Sequence, residues 1–209
     1  MSENYISTIA KDKVYPIIRC KEADQVVEIS KALIEGGIRV LEINVETVEI
    51  YEAIKEVSKY ATVCAGGIIT ATQADYAFKN GAKLFASPIF HMNLIKISKN
   101  LGIPFIAGTT TANEAYTAWK SRIPLIKIFP AEAMGGIAYI ENILRQMPFL
   151  NLMPMGDIKL RDVVSYLNAG ACAVGVGRDF YQGFTPREIT NRTKEILTEV
   201  RDFTEWNKK

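Results

Sequence analysis

Val14-Tyr15-Pro16-Ile17-Ile18-Arg19, then Ala23–Glu35, then Gly36-Gly37, then Arg39-Val40-Leu41-Glu42-Ile43-Asn44: this stretch carries the pattern on which the fold turns. Its two ends are short apolar runs of strand length, rich in Val and Ile. Between them Val26, Ile29, Leu33 and Ile34 fall on one stripe of a helix, and the glycine pair stops it. Strand, helix and strand in that order predict two parallel strands joined by a helical crossover.

The same pattern recurs to the end of the chain. Apolar runs occupy residues 62–67, 84–89, 104–109, 125–130, 151–156 and 171–177, and the eight runs start roughly 20 to 26 residues apart. The helical segment 75–80 ends at Gly81 and the segment 160–169 at Gly170, each glycine placed to supply a left-handed cap. No polar linker or change of composition interrupts residues 1–209, so one domain is expected. Eight units in 209 residues predict an α/β fold, a single-domain (β/α)8 TIM barrel with a parallel sheet. An open doubly wound sheet is the alternative, but its dinucleotide fingerprint is missing. The nearest glycine cluster, Gly175-Val176-Gly177, follows the eighth strand rather than the first.

Composition narrows the partners. Lys and Arg number 25 against 23 Asp and Glu, a formal charge of +2, which argues against a nucleic-acid footprint. Hydrophobic residues at 48% and charged residues at 23% describe a globule rather than a disordered chain. No apolar run approaches the ~18 residues of a membrane helix. Residues 1–13 are polar and lack the apolar core of a secretory signal, so a cytoplasmic protein is expected. Cys20, Cys64 and Cys172 have no metal-ligand spacing and sit in apolar stretches, which suggests buried reduced thiols and no metal site.

Three apolar runs carry one charge each. Arg19 ends the first strand, Glu42 shares a face with Val40 and Asn44, and Lys127 shares a face with Leu125 and Phe129. Taking an isolated charge out of water costs on the order of several kcal/mol, so each needs a partner or a task. Pointing outward they would press into the helix layer. Pointing into the lumen, Arg19, Glu42 and Lys127 would converge near the C-terminal mouth, where such barrels carry out chemistry. A buried ionic cluster that only fixes register is the bland alternative. The sharper reading is Schiff-base chemistry on an acidic carbonyl compound. Burial among Ile126, Ile128 and Phe129, with Arg19 nearby, favours the free amine that attacks a carbonyl, while Glu42 opposes it. A carboxylate there can move protons to and from carbinolamine, imine and enamine, and the Arg19 fork matches the carboxylate of a 2-keto acid.

With those residues in view, the sequence resembles the class I aldolases of the 2-keto-3-deoxy-6-phosphogluconate (KDPG) and 4-hydroxy-2-oxoglutarate (KHG) family. The resemblance runs from Tyr15-Pro16-Ile17-Ile18-Arg19 to Gly175-Val176-Gly177. It is strongest at Ile126-Lys127-Ile128-Phe129-Pro130-Ala131-Glu132 and at Glu35-Gly36-Gly37-Ile38-Arg39-Val40-Leu41-Glu42-Ile43. It implies a Schiff-base nucleophile at Lys127, a general acid/base at Glu42 and a carboxylate-binding arginine at Arg19. It also implies a substrate wall formed by Gly66, Gly67, Pro88, Phe129, Gly156, Asp157, Gly177 and Arg178. The implied reaction is reversible cleavage of a 4-hydroxy-2-keto acid to pyruvate and an aldehyde, in a homotrimer with no metal or other cofactor. A small-molecule keto acid is then the expected partner, with no role for nucleic acid or membrane.

Four positions depart from the family's usual pattern. Gly67 stands where a threonine is common, and Glu46 where many relatives carry arginine. Met155-Gly156-Asp157 replaces a Thr-Gly-Gly loop, and Gly177-Arg178 replaces a Gly-Ser pair, both where relatives grip phosphate. An aspartate repels a phosphate dianion and Arg178 attracts it. Three readings of Asp157 follow: it caps the helix starting near Lys159, it pairs with Arg178, or the two residues read the hydroxyls or carboxylate of an unphosphorylated aldehyde. Glu46 has a bland reading as a first-turn helix residue. Two rival functions stand beside the aldolase. One is a phosphate-handling barrel in which Lys127 is only electrostatic, and the other is a catalytically silent barrel that binds a sugar acid or phosphate ligand. His91 is expected at a helix entry, Thr109-Thr110-Thr111 at the mouth or a helix entry, and Glu132 in a structural turn.

Overall fold

Alternation along eight short strands decides where each side chain goes. The protein's structure, a computed structural model, describes residues 5–206. After helix α1 (Tyr5–Asp12) the order is β1 (Val14–Ile18), α2 (Ala23–Glu35), β2 (Val40–Asn44), α3 (Ile50–Val57), β3 (Thr62–Gly66) and α4 (Ala71–Lys79). It continues with β4 (Leu84–Ala86), α5 (Met92–Leu101), β5 (Phe105–Thr109), α6 (Ala112–Lys120), β6 (Ile126–Ile128) and α7 (Gly136–Gln146). It ends with β7 (Leu152–Pro154), α8 (Val163–Asn168), β8 (Val174–Val176) and α9 (Pro186–Trp206).

Every strand pairs in parallel with its neighbours, in the order β7-β6-β5-β4-β3-β2-β1-β8. A single bridge, Met155 to Gly175, closes the ring between β7 and β8. The expected (β/α)8 barrel is what the chain forms. Its lumen is filled from the strands by Tyr15, Val40, Cys64, Leu84, Ile106, Leu125, Met153 and Ala173. The other parity, including Ile18, Leu41, Val63, Phe85, Ile126 and Val174, packs against the helices.

All eight expected strands are present, but each is shorter than its apolar run. Residues such as Pro88 and Gly177 leave the ladder at the C-terminal ends and become mouth loops, where a proline could not donate to the ladder in any case. Phe129 lies past β6 with its N–H still donating to the Thr109 carbonyl at 2.9 Å. Gly81 (φ 96°) and Gly170 (φ 97°) adopt the left-handed conformation expected of them, and in the glycine pair it is Gly37 (φ 114°) that does so. Helix α4 starts before residue 75 because Thr70 and Gln73 form a capping box.

Helix α1 is not foreshadowed by the polar average of residues 1–13, of which 1–4 lie outside the described residues. Tyr5, Ile6 and Ile9 form a helical stripe within that polar segment. Ile9, 1% exposed, packs with the lumen residues and stoppers the end of the barrel away from the mouth. Cys64 is buried in the lumen as expected, whereas Cys20 and Cys172 are only partly buried; all three are free thiols. Among the described residues, no helix is long and apolar enough to cross a membrane.

Candidate active site

Period-two alternation puts Val40, Glu42 and Asn44 of β2 on the lumen side, and likewise Leu125, Lys127 and Phe129 around β6. In a ring of eight strands, β2 and β6 stand four apart, so these two sets face each other across the barrel. Lys127 reaches across and its Nζ lies 3.3 Å from Glu42 Oε1. The pair is buried, with Lys127 5% and Glu42 0% exposed. Among the described residues, Glu42 Oε2 has no hydrogen-bond partner. Lys127 Nζ also lies 5.7 Å from the centre of the Phe129 ring.

Below the pair sit Tyr15 and Cys64. Burial pushes both the phenol and the thiol well above their ordinary pKa values, and the neighbouring Glu42 pushes both further the same way. Two groups that stay neutral therefore form the floor under the carboxylate. Gly66 leaves the space that Glu42 occupies. A Cβ there would overlap Asn44 Oδ1 and Glu42 Oε1 and stand 2.6 Å from Glu42 Cγ.

Above the pair opens a cleft of about 500 Å³ at the C-terminal ends of the strands. Arg19, Gly67, Pro88, Lys127, Phe129, Gly156, Asp157, Gly177 and Arg178 all line it, so these expected residues converge on one site. Glu42 and Gly66 do not line the wall: Glu42 lies beneath Lys127, and Gly66 lies behind Glu42. Gly66 thus makes room for Glu42 and Asn44 and does not itself line the cleft. Its place on the lumen face of β3 hid that role, because the space it vacates belongs to the neighbouring strand β2.

Arg19 also differs from expectation. It sits one residue past β1, at the rim, with its side chain 52% exposed, and its Nε donates to Glu46 Oε1 at 2.7 Å. It is therefore not a buried charge beside Lys127. Its backbone is anchored instead, with Arg19 N donating to the Tyr181 hydroxyl at 2.9 Å. Burial is the main cause that pushes the Tyr181 phenol up to about 12. Glu46 lies in the loop before α3, which starts at Ile50, so it is an ion-pair partner rather than a first-turn residue.

At the far end of the cleft the expected cap comes from a different acid. Asp179 Oδ2 accepts from Leu160 N at 2.8 Å, and Asp179 Oδ1 pairs with Lys159 Nζ at 3.3 Å. Asp157, in a left-handed conformation (φ 58°), caps nothing, and among the described residues neither it nor Arg178 is ion-paired. Both are exposed on the cleft wall.

The remaining expectations resolve simply. His91 precedes α5 as its N-cap residue without capping through its side chain. Thr109 Oγ1 donates to the Lys127 carbonyl at 3.1 Å and Thr110 Oγ1 to the Phe129 carbonyl at 2.9 Å, steadying the lysine strand, while Thr111 caps α6. Glu132 accepts from the buried Tyr166 hydroxyl, as suits a structural role, and burial with that carboxylate pushes the Tyr166 phenol up. Asn44, Ile17, Met155, Lys159 and Gln182 line the cleft without having been singled out. For Asn44 a signal existed: it stands two residues after Glu42 on the same strand face, and its buried Oδ1 has no partner among the described residues.

A parallel eight-stranded barrel with a buried lysine–glutamate pair under a C-terminal cleft defines a (β/α)8 barrel of the enzyme type, with its site at the strand C-termini, rather than a dinucleotide-binding sheet. Comparison with known proteins makes the assignment narrower. Residues 5–192 match the family described as Aldolase: KDPG and KHG aldolase. The 2-dehydro-3-deoxy-phosphogluconate aldolase of Haemophilus influenzae is 28% identical over 204 residues, covering 94% of this chain and 96% of that protein. The 2-keto-3-deoxy-6-phosphogluconate aldolase of Zymomonas mobilis, solved with 3-phosphoglycerate, superposes with a TM-score of 0.86 at 25% identity, covering 94% of this chain and 96% of that one. A KDPG aldolase of Legionella pneumophila, solved with pyruvate captured as a covalent carbinolamine, gives a TM-score of 0.77 at 27% identity, covering 92% and 94%. The chain belongs to the KDPG and KHG aldolase family, aldehyde-lyases that cleave 2-keto-3-deoxy sugar acids to pyruvate and an aldehyde.

Proposed function

We propose that this chain cleaves a 4-hydroxy-2-keto acid reversibly to pyruvate and an aldehyde through a Schiff base on Lys127. The observation that carries the reading is the Lys127–Glu42 pair at 3.3 Å across the lumen, with Lys127 on the floor of a cleft that Arg19 also lines. The carbinolamine described for the Legionella relative supports the same chemistry.

The Lys127 amine attacks C2, and the carbonyl oxygen takes up a proton to give a carbinolamine. Loss of water leaves an iminium, which is the electron sink for the next step. A base removes the C4-hydroxyl proton, the C3–C4 bond breaks, the aldehyde leaves, and the bonding pair becomes an enamine. Protonation at C3 and hydrolysis release pyruvate and the free amine. Glu42 is placed to exchange protons at the lysine nitrogen directly. From beneath Lys127 it reaches the substrate oxygens through water, as a general acid/base. Arg19 holds the C1 carboxylate, for which Glu46 is the resident competitor. The phenyl face of Phe129 and the ring of Pro88 exclude water from the developing enamine.

The same reading takes residues 1–209 as one barrel domain acting in the cytoplasm as a homotrimer. Its substrate is a small-molecule keto acid and it needs no metal or cofactor. Borohydride reduction with pyruvate tests the covalent step. The chain should gain the mass of one reduced pyruvate on Lys127, and Lys127→Met should gain none. Absence of labelling at saturating pyruvate would favour a silent barrel. Glu42→Gln should retain some imine formation and lose cleavage; full cleavage in that variant would remove Glu42 from the mechanism.

A further inference from the structure

We infer that the aldehyde half of the substrate is an unphosphorylated, hydroxyl-bearing chain, read by Asp157 and Arg178 on the cleft wall after β7 and β8. This rests on the aldolase reading above and concerns the part of the cleft that a three-carbon keto acid leaves empty. About 500 Å³ is far more than pyruvate fills, so part of the wall faces the other product.

That wall carries two opposite charges with no ion-pair partner among the described residues. Asp157 and Arg178 both line the cleft, and among the described residues neither is paired. Lys159, the other cation there, is already held by Asp179 at 3.3 Å. Arg192 stacks on the Phe184 ring at 4.0 Å and donates to the Asp179 carbonyl at 2.9 Å, so it too is committed. Among the described residues, Arg178 and Asp157 are therefore the cation and the anion that this part of the cleft leaves unpaired.

A phosphate dianion does not match that pair. It accepts hydrogen bonds and donates none, so it has nothing to give the Asp157 carboxylate, which also only accepts, and the two repel. A hydroxyl donates to Asp157 and accepts from Arg178, and neighbouring hydroxyls on a sugar chain can satisfy both walls at once. Asp157 follows Gly156, which packs against Pro130 and Phe129, and its own left-handed backbone turns the loop there.

The test measures condensation of saturating pyruvate with glyceraldehyde, erythrose and their terminal phosphates, as kcat/KM for each aldehyde. The unphosphorylated member of each pair should be favoured about tenfold or more, the scale of a like-charge contact in a cleft. Asp157→Asn, which keeps the left-handed backbone accessible, should shift the ratio at least about fivefold toward the phosphorylated aldehyde. Arg178→Gln should shift it the other way. Preference for the phosphorylated aldehydes, or variants that leave the ratio unmoved, would overturn the inference. So would failure of every aldehyde in a protein whose Lys127 is still labelled by pyruvate and borohydride. Loss of that labelling instead would bring down the Schiff-base reading itself.

Discussion

Removing Lys127 should cost stability as well as activity, and the size of that cost tests whether the pair is ionic and desolvated. Glu42 is fully buried, its Oε2 already lacks a partner among the described residues, and its Oε1 faces Lys127 at 3.3 Å. Lys127→Met leaves that carboxylate among Tyr15, Cys64 and Asn44 with no cation. Breaking a buried pair by removing one partner costs about 3–5 kcal/mol. The cleft above lets water relax the site, so the lower end, about 3 kcal/mol, applies here. In a chain of this length each kcal/mol moves the melting temperature about 2–4 °C, which gives a fall of about 6–12 °C. Thermal unfolding of the wild type, Lys127→Met, Glu42→Gln and the double variant reads the coupling directly. The double variant should regain most of the loss, because no uncompensated charge is left. If Lys127→Met melts at or above the wild type, or the double variant melts no higher than the single, the two groups are not a desolvated ion pair.

Glu46→Gln frees Arg19 from a carboxylate that competes with the substrate's. The pair is half exposed and worth about 0.2–1 kcal/mol, so KM for pyruvate should fall by about 1.5–5-fold with kcat unchanged. A rise in KM would mean that Glu46 positions Arg19 instead of masking it. Gly66→Ala should abolish cleavage while far-ultraviolet circular dichroism stays native, since the new methyl takes the space of Glu42 and Asn44. Retained activity would show that Glu42 need not sit where it does. Thr111→Ala should lower stability by about 0.5–2 kcal/mol in urea unfolding through loss of the α6 cap. Hydrogen bonds from Thr111 N and Thr110 N hold the Glu114 carboxyl below its ordinary pKa. Its stabilising contribution is therefore complete above the unfolded carboxylate pKa and lost as pH falls through the lower folded value. Glu114→Gln should remove that part of the acid-side slope, and an unchanged slope would place the effect elsewhere.

The amino-acid order alone determined the eight strands, the alternation of faces along each, and the charges of Arg19, Glu42 and Lys127 as the ones that an apolar run does not explain. These are local properties: a period of two along a strand and a glycine at a helix end need no knowledge of the rest of the chain. Only the tertiary structure decided who meets whom. Lys127 and Glu42 are 85 residues apart and touch because closure of the ring sets β2 opposite β6. The rim position of Arg19 was hidden for a related reason: where a strand stops depends on its neighbours' hydrogen bonds, and β1 ends at Ile18, one residue short of the charge. Helix α1 was lost in a polar average because its apolar stripe gains meaning only against the open end of a barrel. Asp179, not Asp157, reaches the turn at Leu160, since the loops after β7 and β8 are brought together only when Met155 bridges to Gly175 and the cylinder shuts.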